Sequence, residues 1–99
     1  MFVTPSDAPL TMKWKEAMDY AAKLDAHGRK DWRLPSEGEL NVLFNNLAAI
    51  GGFKITGLDK DWYWSASEER DWVVCQRFSD GCQARTGKGN GSSVRCVRS

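Results

Sequence analysis

The sequence predicts an α+β fold, two helices packed on a small, mostly antiparallel, twisted sheet. Three observations predict it. Apolar residues in the first half recur at helical spacing, at Trp14, Ala17, Met18 and Ala21 and again at Leu40, Leu43, Phe44 and Leu47. A helix-start signal, Ser36 with Glu39, precedes the second run. The second half instead holds short stretches rich in Trp, Tyr and Val, separated by Gly and Asp turn residues, as strands and hairpins are. Helices followed by strands segregate into an α+β domain, without alternating βα units.

Taken in order, residues 1–10 form a lead-in with two prolines and an expected edge strand around Phe2 and Val3. A helix is expected from about Met12 to Ala26, with Thr11 as its cap and Trp14, Ala17, Met18, Ala21 and Leu24 facing inward. Gly28 then supplies the left-handed turn that ends it. Trp32 to Leu34 is extended, and Pro35 keeps any helix from starting earlier. Ser36 and Glu39 form a capping box, in which the serine oxygen takes a free backbone N–H and the glutamate reaches back. The second helix runs from about Glu37 to Ala49 and stops at Gly51-Gly52.

Residues 53–61 read as a loop. Trp62 to Ser67 is a strand, and Glu68-Glu69-Arg70-Asp71 is a charged, solvated turn. Trp72 to Phe78 is the next strand, and Asp80-Gly81 signals a two-residue hairpin. Gln83 to Thr86 returns, the run from Gly87 to Ser93 is a flexible loop, and Val94 to Arg98 closes the chain as a last strand. There is no internal repeat and no domain boundary, so residues 1–99 read as one domain.

Composition narrows the function classes. Five tryptophans in 99 residues suit a small core built from large buried groups. The formal charge is +1, and the arginines of the second half are offset by Glu68, Glu69, Asp71 and Asp80, which argues against a nucleic-acid partner held by a basic face. No apolar run approaches the roughly 20 residues of a membrane span, so no membrane insertion is expected. The first residues carry neither the basic region nor the apolar core of a signal peptide. The expected setting is the cytoplasm or a phage particle assembled there, or else a place within a longer surface protein.

Three cysteines, Cys75, Cys82 and Cys96, leave at least one free thiol. Their spacing is not that of a zinc site, and no cofactor or metal is expected. The run from Gly87 to Gly91 lacks the order of a phosphate-binding loop. His27 has no triad partners near it, and neither Cys75 nor Cys82 has an evident base, so no catalytic residue is assigned and the chain reads as a non-enzyme.

Several blocks in order carry a resemblance: Trp14-Lys15-Glu16-Ala17, Trp32-Arg33-Leu34-Pro35-Ser36, Trp62-Tyr63-Trp64-Ser65-Ala66-Ser67, Gln76-Arg77-Phe78-Ser79-Asp80-Gly81 and Ser93-Val94-Arg95-Cys96-Val97-Arg98. From about Trp14 to Arg98 the chain resembles the Lcl C-terminal-domain-like family, named after bacterial collagen-like adhesins. It resembles still more the variable proteins of diversity-generating retroelements. The resemblance implies a C-type-lectin-like fold. Members often pair the late cysteine with one following a helix-one tyrosine; here Ala21 follows Tyr20, so no such bridge is expected and a reducing compartment is favoured. The sugar-binding and calcium-binding motifs of true lectins are absent, so sugar binding is not implied.

In such a fold the late strands and loops, here within residues 66–99, present side chains on a rigid scaffold. The candidate ligand-binding residues are Glu69, Arg70, Asp71, Trp72, Val74, Cys75, Cys82, Arg85, Thr86, Lys88 and Asn90. Trp72 and Val74 would give apolar contact, Arg70, Arg85 and Lys88 charge, and Asn90 hydrogen bonds. Unpaired Cys, Val and mixed charges stand here without an evident packing pattern. In retroelement variable proteins template adenines are randomised, and an AAC codon can then become Cys, Val, Arg, Ala, Thr, Gly, Asp or Ser, the types found here. The expected partner is a protein or a cell-surface ligand, with the oligomeric state left open. An ordinary fixed domain with untidy strands, a phage- or prophage-encoded inhibitor of a host protein, and a relative of formylglycine-generating enzymes are the alternatives.

Overall fold

A computed structural model describes residues 1–99. The chain order is strand β1 (Phe2–Val3), helices α1 (Trp14–Lys23), α2 (Glu37–Asn45) and α3 (Leu47–Ile50), a 3-10 turn (Asp59–Asp61), and strands β2 (Trp62–Glu69), β3 (Trp72–Arg77), β4 (Gln83–Gly87) and β5 (Val97–Arg98). The fold is α+β, with one antiparallel sheet ordered β2-β3-β4 and a second pairing β1 with β5. The two ends of the chain are therefore held side by side.

Helix α1 is shorter than the sequence suggests. Lys13, not Thr11, caps it, and the Glu16 carboxylate accepts from the Lys13 backbone N–H at 3.0 Å. Leu24 is extended, and Ala26 pairs with Arg29 across a two-residue turn. His27 (φ 55°) and Gly28 (φ 75°) are both left-handed, as a type I′ turn requires, so the glycine shapes a turn beyond the helix and does not end it. Trp14, Ala17 and Ala21 are buried as expected; Met18 faces solvent.

The Ser36 signal is realised in full. Ser36 Oγ accepts from the Glu39 N–H at 3.1 Å, and Glu39 accepts from the Ser36 N–H at 2.9 Å. Arg33 grips the same glutamate with two bonds of 2.6 and 2.8 Å, and this holds the Glu39 carboxyl down at about 2. Asn46 splits the expected long helix, because its side-chain amide donates to the Val42 carbonyl while its backbone leaves helical geometry. Ile50 thus packs on the core in the place foreseen for Leu47.

Two apolar clusters lie on the two faces of the three-stranded sheet. Trp64, Val73 and Cys75 pack with Trp14, Ala17 and Ala21 of α1 and with Trp32, Leu34 and Val94. On the opposite face Tyr63 and Phe78 pack with Leu40 and Leu43 of α2 and with Val97. A register shift between Trp64 and Glu68 lets β2 leave the ladder, and the Ala66 N–H then donates to the Pro35 carbonyl at 2.7 Å. Ser67 Oγ accepts from the Glu37 N–H at 2.9 Å, satisfying a donor at the start of α2.

Beyond β3 the chain makes a longer loop than the expected two-residue hairpin. The Phe78 N–H donates to the Asp61 carbonyl at 2.9 Å, and its ring plugs the second cluster. Gly81 (φ 82°) closes this loop, and a Cβ there would stand 2.5 Å from the Phe44 ring. The last strand is only Val97–Arg98; just before it Arg95, fully buried, donates to the Thr4 and Gly51 carbonyls and meets Asp7 at 3.2 Å. No helix is long and apolar enough to cross a membrane.

Candidate functional site

Strand β4 is the edge of its sheet, and its side chains remain largely uncovered. Register places Arg85 beside Val74, Thr86 beside Val73 and Ala84 beside Cys75. The β2–β3 hairpin adds Glu69, Arg70, Asp71 and Trp72 at one end of the same sheet, all exposed, with Trp72 opposite Gly87 and 53% exposed. Arg70, at the tip, holds φ 57°, a left-handed conformation that costs a non-glycine residue about 1–2 kcal/mol. Arg85 reaches across to Glu69 at 2.7 Å.

The site residues foreseen from sequence fall into three groups. Glu69, Arg70, Asp71, Trp72, Cys82, Arg85 and Asn90 are exposed, and Thr86 is half-buried. Lys88 is committed to the scaffold: its amine lies 5.2 Å from the Trp14 ring centroid and pairs with Glu68, and its carbonyl accepts from the Trp14 N–H. Val74 and Cys75 are buried, which corrects the expectation that they lack a packing pattern. The reason is that β3 is the central strand and is covered on both faces. Its alternation sends Val73 and Cys75 into one core and turns Val74 and Gln76 to the other face, where Gln76 meets Asn41 of α2.

A cleft of about 340 Å³ opens beside β4. Cys75, Ala84, Arg85 and Thr86 line it from the sheet, Asn90, Gly91 and Ser92 from the following loop, and Asp59 and Trp62 from the turn before β2. The Asn90 amide donates to Thr86 Oγ1 at 2.7 Å and fixes the loop against the strand. Trp62 is half-buried, and the Arg77 guanidinium, which is not part of the cleft wall, sits 5.1 Å from its ring centroid. Asp59, Trp62 and Ser92 escaped the sequence reading, since they lie outside the two irregular stretches. The only available signal was a run of acids, Asp59 and Asp61, ahead of an aromatic strand.

The turn that carries Asp59 is rigid for a local reason. Asp61 is fully buried, and its carboxylate accepts from the Thr56 N–H, the Thr56 hydroxyl and the Gly57 N–H at 2.9, 2.7 and 2.6 Å. Burial alone would raise its pKa, but these bonds outweigh it and hold the carboxyl below its usual range. The Cys75 thiol is pushed up to about 11 by burial and then by the neighbouring Cys82. No three His, Cys, Asp or Glu side chains gather as metal ligands would.

The family model described as the Lcl C-terminal domain matches residues 4–98. No curated protein matches the chain.

Proposed function

The chain belongs to the Lcl C-terminal domain family, and from that premise we propose that it is a non-enzymatic ligand-binding domain with the lectin-like fold the resemblance implies. Its binding face is the exposed hairpin tip, the outer strand β4 and the adjoining cleft. One observation carries this reading: the exposed candidate residues cluster on an edge strand and two turns, while the family-like blocks build the scaffold beneath. Arg33, Ser36 and Glu39 tie α2 to the chain, and Arg95 ties the lead-in to the last strand. Side chains at Arg70, Asp71, Trp72 and Arg85 can change without opening either core.

Within that reading the protein is a variable protein of a diversity-generating retroelement, and its ligand is a protein or a cell-surface molecule. The left-handed Arg70 supports this. Asn, the residue that AAC encodes, enters that conformation far more readily than Arg does. The Cys75 thiol, raised by burial, does not have the lowered value of a reactive cysteine. Sequencing natural copies of the locus and its neighbours tests the reading. A reverse transcriptase, a near-copy repeat and substitutions confined to the exposed positions are expected. Invariant copies with no such neighbours would overturn it.

A further inference from the structure

We infer that the cleft beside β4 takes a lysine or arginine side chain of a protein ligand; this rests on the reading of that face as a binding surface. Two charged residues line the cleft, Asp59 and Arg85. Arg85 is already matched by Glu69 at 2.7 Å, whereas Asp59 is exposed and has no ion pair within the chain. The cleft therefore presents one uncompensated negative charge. It shares the cleft with the apolar Ala84 and Cys75 and with the Trp62 indole, an aromatic ring suited to a cation and already 5.1 Å from the Arg77 guanidinium outside the cleft wall.

A basic side chain matches this arrangement from stem to head. Its methylenes would lie on Ala84 and the indole, and its head would reach the Asp59 carboxylate with Asn90 and Thr86 oxygens nearby. The volume of about 340 Å³ accommodates one such side chain. The backbone turn that carries Asp59 is held in place, because the buried Asp61 pins the preceding loop through Thr56 and Gly57. Preorganisation of this kind lowers the entropy lost on binding. A carboxylate ligand, by contrast, would meet Asp59 unshielded.

Titration of the labelled whole chain with N-acetyl-lysine methylamide, N-acetyl-arginine methylamide, N-acetyl-leucine methylamide and n-butylammonium tests this by NMR. The two basic amides should shift the Trp62 indole N–H and the amides of Thr86 and Asn90. Asp59→Asn should weaken them by about three- to fivefold, the size of an exposed ion pair, and leave the leucine derivative unchanged. Asp59 holds no other side chain, so this variant keeps the fold. Equal binding of the leucine derivative, with Asp59→Asn without effect, would overturn the cation assignment and keep the cleft as an apolar site. Tighter binding of n-butylammonium than of the lysine derivative would overturn the protein side chain as its source. No shift with any probe would overturn the inference altogether, while the hairpin and the copies of the locus would still decide the broader reading.

Discussion

Strands β3 and β4 lie side by side in one sheet, and both come from stretches that look equally irregular in sequence. Their environments are opposite. Val73 and Cys75 of β3 enter one core, Gln76 is sealed against α2, and Phe78 just beyond fills the other core. In β4 only Thr86 and Gly87 are half-buried, and Gln83, Ala84 and Arg85 are exposed. Composition did not make this difference. The strand order did: a central strand is covered on both sides, and an edge strand has a neighbour on one side only. Tolerance to change follows the same line, so a diversified face can occupy β4, its flanking turns and the exposed first residue of β3, Trp72, but not the rest of β3.

The largest expected effect comes from Phe78, just beyond β3. Phe78→Ala should cost about 3–5 kcal/mol in denaturant unfolding, whereas Trp72→Ala, at the exposed start of β3, should cost less than about 1 kcal/mol. Similar losses from both would break the comparison. Leu43, fully buried under the α2 face of the sheet, should cost about 2–5 kcal/mol on replacement by Ala. A loss under about 0.5 kcal/mol would show that α2 does not cover β3.

The α2 cap gives a pH signature confined to the scaffold. Arg33 holds Glu39 at about 2 in place of 4.5. Its contribution is complete above the unfolded value and is lost as pH falls from about 4.5 toward 2. Glu39→Gln should flatten stability against pH in that window, and an unchanged acid slope would count against the Arg33 contact.

Smaller effects belong to the binding face. Arg70→Asn should stabilise by about 0.5–1 kcal/mol, by relieving the left-handed strain at the hairpin tip. A destabilisation would mean that Arg70 is held by contacts of its own. Arg85→Ala should change stability by no more than about 0.5 kcal/mol. A loss of several kcal/mol there would place β4 in the core and remove the basis for calling it a variable surface.

Much of the fold was legible in the chain because its signals are local. Ser36, three residues before Glu39, starts a helix wherever it stands, and Leu40 and Leu43 then share one face by helical geometry alone. The hairpin at Arg70-Asp71 and the alternation of the strands were legible for the same reason. The exposed half of the candidate site followed from them. Other features were decided by contacts between distant segments. Arg95, fully buried, bound a lead-in some ninety residues earlier in the chain. Lys88 was drawn from the binding face to Trp14, and Asp59 was brought into a cleft with β4. Sequence period tells which residues of a strand point the same way. Only pairing and packing decide what lies on either side of that strand, because burial depends on neighbours that the chain supplies from elsewhere.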